Sequence, residues 1–160
     1  MVNNHPAFLD RLFDSRHSVF VVAEWLSAGG YDVRIPAIKG RKAHERIEDF
    51  VDDGDIFISN DGGPERRVEV KMKKFVFTSK DDYPYDSVLI ANKASIDRIG
   101  DNLAAFVIIS EDLNTMMIAT AETRPHWREV AYTAKNTGNL EHFYACDKSL
   151  LKFRKIRSEP

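Results

Sequence analysis

Apolar and polar positions change period several times along the chain, and each change marks an element. Over residues 15–28, Phe20, Val21, Ala23, Trp25 and Leu26 belong to a longer apolar pattern that predicts a helix. Ser18, or Asp14 one turn earlier, would cap its start, and Gly29 and Gly30 stop it. "YDVRIPAI" then alternates and predicts a strand near 31–35, with Pro36 limiting its pairing. "KGRKAHERIEDFV" begins polar and basic and reads as a loop leading to a short helical turn. "GDIFIS" and "RRVEVKMKKFVF" predict strands at 54–59 and 66–77, joined by the turn "NDGGPE". "SVLIANKASIDRIG" reads as a short strand followed by a helical turn. "AAFVIIS" is an apolar strand over 104–110, and "NTMMIATA" forms a hairpin with it through 111–114. "HWREVAY" and "EHFYACD" are shorter strands, and the basic tail "KSLLKFRKIRSEP" reads as a last short helix that frays. With no internal repeat and no linker, residues 1–160 form one α/β (or α+β) domain: an N-terminal helix, a central mixed sheet and a minor helical element.

Composition narrows the classes. The chain has 160 residues, 43% hydrophobic and 30% charged, enough to bury a core. A net charge of -2 excludes a bulk-basic nucleic-acid binder, so any polyanion contact must be local. Cys146 is the single cysteine, which rules out an intrachain disulfide and fits a reducing cytoplasm. The N-terminus lacks the pattern of a signal peptide. "VFVVAEWL" is too short to span a bilayer and carries a glutamate, so a cytoplasmic protein without a membrane partner is expected. The five histidines show no metal-ligand spacing, and no nucleophile elbow, P-loop or dinucleotide fingerprint is present.

The chemistry concentrates on the hairpin. One face of the strand after the turn carries Arg67, Glu69, Lys71 and Lys73, and the other carries Val68, Val70 and Met72. If the turn centres on Gly62, Asp55 faces Glu69 across the ladder. Opposed like charges destabilise a sheet, so something must offset them. A divalent cation is the simplest candidate, since two carboxylates, a main-chain carbonyl and waters suit Mg²⁺. Taken singly, each residue has a plainer reading. Asp55 suits a strand start, Glu69 and Lys71 suit a solvated strand face, and Glu24 suits the exposed side of a helix.

Asp55, a loop, and then Glu69-Val70-Lys71 resembles the PD-(D/E)XK nuclease superfamily, which includes restriction endonucleases and Holliday-junction resolvases. Its signature is an acidic residue at a strand start and (D/E)-x-K, with hydrophobic x, on the next strand. Its core is a helix, three antiparallel strands, a helix and a further strand. The resemblance covers roughly residues 15–110. Gly54 stands where the signature often has proline, and the strands beyond 110 have no counterpart.

The resemblance implies a restriction-endonuclease-like fold and hydrolysis of DNA phosphodiesters with Mg²⁺ or Mn²⁺. It implies metal ligands at Asp55, Glu69 and the Val70 carbonyl, with Glu24 completing the shell and Lys71 acting on water and phosphate. Lys39, Arg41, Lys42, Arg67, Lys73, Lys74, Lys80 and Lys93 would contact the nucleic-acid backbone. A homodimer would suit symmetric cutting. Two other classes stay open: a nuclease-fold module that binds nucleic acid or protein without cutting, and a plain interaction domain.

Overall fold

A computed structural model describes residues 6–37, 54–135 and 137–157. The chain order is helix α1 (Pro6–Ala28), strands β1 (Asp32–Arg34), β2 (Ile56–Ser59), β3 (Arg66–Met72) and β4 (Ser87–Asn92), then helix α2 (Lys93–Ile99). Strands β5 (Leu103–Ile109), β6 (Thr115–Thr120), β7 (Arg128–Thr133), β8 (Leu140–Asp147) and β9 (Lys152–Lys155) follow, with short 3₁₀ turns between several of them. The class is mixed α/β with a core built mostly of sheet.

Two sheets form. The larger has six strands in the order β1-β2-β3-β5-β6-β9, and the smaller has three in the order β4-β8-β7. Among the described residues, only the β3–β5 pair runs parallel. A parallel pair needs a crossover, and here β4 and α2 supply it. The period of two along β3 then sorts its side chains. Val68 lies with Ile56, Val107, Ile109 and Met116 in a core covered by Val19, Val22, Ala23 and Leu26 of α1. Phe106 and Ile108 point the other way and pack with Ile90, Ile96, Cys146 and Trp127 from the second sheet and its surroundings. The layers are therefore α1, the large sheet, and the small sheet with α2.

Several elements differ from expectation. The first helix begins at Pro6, nine residues before the expected start at 15. Proline suits a first helical turn, and no glycine or further proline interrupts the run to Ala28. Ser18 is therefore buried within the helix, and neither it nor Asp14 is a cap. The strand expected over 66–77 leaves the ladder after Met72. Phe75 and Phe77 instead join Tyr83, Tyr85 and Phe153 in an aromatic cluster with ring centroids 5.7–6.3 Å apart. The tail is strand β9, paired antiparallel with β6, and not a fraying helix. In this register Phe153 enters the aromatic cluster, which ties the tail to the core. Among the described residues, no helix is long and apolar enough to cross a membrane.

Candidate active site on the hairpin

The β2–β3 turn fixes the geometry. Asp61 and Gly62 adopt positive φ (46° and 73°), and the Gly63 N–H donates to Asn60 O at 2.7 Å. The resulting register pairs Ile56 with Val68, Phe57 with Arg67 and Ile58 with Arg66. Continued by one residue, it sets Asp55 opposite Glu69. Asp55 Oδ2 accepts the Val70 N–H at 2.7 Å. A strand residue sends its N–H and C=O to the same side, so the Val70 carbonyl also faces the β2 side of β3.

Glu69 is not left to repel Asp55. The Arg67 Nε donates to Glu69 Oε1, and the two side chains are only 18% and 15% exposed. Gly54 makes room for this pair. It is buried, its φ is +97°, and a Cβ there would run into the Arg67 guanidinium. That requirement accounts for glycine at the position where proline was the point of comparison. Arg67 and Glu69, with Ser95, Arg98 and Phe106, line a cavity of about 140 Å³ against α2.

Lys71 is exposed two residues beyond Glu69 on the same strand. Lys73 follows and is half-buried. Burial, and then the neighbouring Lys71 ammonium, hold its amine below the ordinary lysine range. Lys74 and Lys80 are exposed. Lys93 is committed elsewhere: it donates to Asp97 Oδ2 at 2.7 Å and to Tyr144 Oη at 3.0 Å, and these bonds hold its pKa above the usual range. Glu24 is exposed on α1, the helix that covers the Val68 face. Among the described residues, no three histidine, cysteine or acidic side chains gather where they could hold a metal ion, so Glu24 is not brought to Asp55 and Glu69. Lys39, Arg41 and Lys42 lie outside the described residues.

Two features escaped the sequence reading. Arg67 is visible on the Glu69 face, where a phosphate contact is expected of it, but its pairing with the carboxylate is not. Arg98 reaches the cavity from α2, and nothing local in its sequence marks that. No protein family, curated protein or solved structure matches the chain at significant similarity.

Proposed function

We propose that the chain is a Mg²⁺- or Mn²⁺-dependent nuclease of the PD-(D/E)XK type that cuts DNA. The observation that carries this reading is the hairpin register, which sets Asp55 against Glu69 with the Val70 carbonyl on the same side of β3 and Lys71 two residues on. The order α1, antiparallel β1–β2–β3, α2, β5 supports it, with β4 as an addition to the superfamily's element sequence. The donors are all hard oxygens, two carboxylates and a carbonyl, which suits either ion. A bound ion supplies a water of lowered pKa and neutralises phosphate charge.

The chain's own groups do the rest. The Val70 N–H holds the Asp55 carboxylate in place. The Lys71 ammonium orients the attacking water and offsets charge developing on the phosphate. Lys73 and Lys74 contact the backbone, which sets affinity without reading sequence.

The Arg67–Glu69 pair favours a second reading. A carboxylate already neutralised by a guanidinium needs no cation, as in a nuclease-fold module that binds without cutting. The test is a substrate panel of supercoiled plasmid, linear duplex, single strands and a four-way junction, in Mg²⁺ and in Mn²⁺. The nuclease reading expects cutting of at least one substrate and a loss of about 10²-fold or more in Lys71→Ala. No cutting of any substrate, with DNA binding retained, selects the module.

A further inference from the structure

Arg67 and Glu69 stand two residues apart on β3 and are joined through Arg67 Nε and Glu69 Oε1. The seat is fitted. Gly54 gives up its side chain to the guanidinium, at a backbone φ of +97°. The pair borders a cavity of about 140 Å³. At 15% exposure the Glu69 carboxylate is poorly screened by solvent, so a second cation on the same group would meet the full repulsion of the guanidinium.

We propose that Arg67 is a latch. It occupies the Glu69 carboxylate until a divalent cation displaces it, and the freed guanidinium, already on the wall of that cavity, meets a substrate phosphate. The planar fork of donors suits both partners, carboxylate first and phosphate second. This inference rests on the nuclease reading of Asp55 and Glu69. It adds that metal affinity is set by the fraction of time the latch stands open.

The experiment titrates Mn²⁺ into protein without DNA, reading free ion by its paramagnetic resonance signal. It compares wild type, Arg67→Met, Arg98→Met and the double variant Arg67→Met/Asp55→Asn. The latch gives Arg67→Met a dissociation constant on the order of tenfold lower than wild type, because the competing closed state is gone. Arg98→Met, which removes a charge from the same cavity without removing the partner of Glu69, gains much less than Arg67→Met. Asp55→Asn cancels the gain. Arg67→Met also melts below wild type without metal and regains the difference when Mn²⁺ is added.

Equal affinity in wild type and Arg67→Met, with Asp55→Asn still abolishing binding, overturns the latch and leaves the metal site standing. No Mn²⁺ binding in any of these proteins overturns both. An equal gain in Arg98→Met reduces the effect to general charge and also overturns the latch. Should Arg67→Met fail to fold, Arg67→Lys carries the test. Its point charge holds Glu69 less well, so Mn²⁺ binds more tightly than in wild type, and an unchanged affinity overturns the latch.

Discussion

At Gly54 a hydrogen in place of a side chain decides where Arg67 can lie. Gly54→Ala would strain a backbone at φ +97° and push against the guanidinium together. We expect it to cost upwards of about 1 kcal/mol, read as a lower urea midpoint with an unchanged slope. Tyr83 makes a separate prediction. Burial, and then the nearby Tyr85, raise its phenol from the ordinary 10.0 to about 12. A group whose folded pKa lies above its unfolded value contributes stability that is full below the unfolded pKa. That contribution is lost as pH rises through the folded value. Stability should therefore fall between pH 10 and about 12, and Tyr83→Phe should fall less steeply over that window. An identical pH profile for the two proteins would contradict the assignment.

The opposition of Asp55 and Glu69 was legible in the sequence. A turn rich in glycine sets the register, and a period of two fixes the face. The Arg67–Glu69 bond was not, because the pattern shows that side chains share a face and not which of them touch. The partners of Lys93 were hidden for a related reason. Asp97 is its neighbour at i+4, but Tyr144 arrives from 51 residues away.

Among the elements, β9 separates the two accounts of the tail. As an edge strand on β6 it seats Phe153, half-buried, in the aromatic cluster. Phe153→Ala should then cost about 2 kcal/mol, less than a fully buried phenylalanine would. A fraying helix would lose almost nothing, and urea denaturation decides between them. The alternation of Leu151 and Phe153 with Lys152 and Arg154 held the signal, but the density of positive charge hid it. For α1 the failure was of boundary. The apolar stripe marks the packed half over residues 15–28, and the sequence back to Pro6 holds no glycine or proline that would stop the helix. The end of β3 was overrun because the apolar "FVF" suits an aromatic cluster as well as a strand.

At the scale of the whole molecule, the parallel β3–β5 pair organises the site. Its crossover through β4 and α2 builds a second layer over the Glu69 face. That layer closes around Glu69 and Arg67 but leaves Lys71 in the open. The order of elements up to β5 could be read from periodicity. The split into two sheets could not, because β4, β7 and β8 alternate like any half-buried strands and do not reveal which sheet they join.

On the proposed reading, Asp55 and Glu69 serve hydrolysis rather than folding alone. The most direct measurement is nicking of supercoiled plasmid under single-turnover conditions in Mg²⁺, comparing wild type with Asp55→Asn and Glu69→Gln. DNA affinity and melting temperature are taken on the same proteins. We expect metal-dependent nicking by wild type and a loss of about 10²-fold or more in both variants, with folding and DNA affinity kept. No nicking by a wild type that binds the plasmid, or equal nicking by all three, would contradict it.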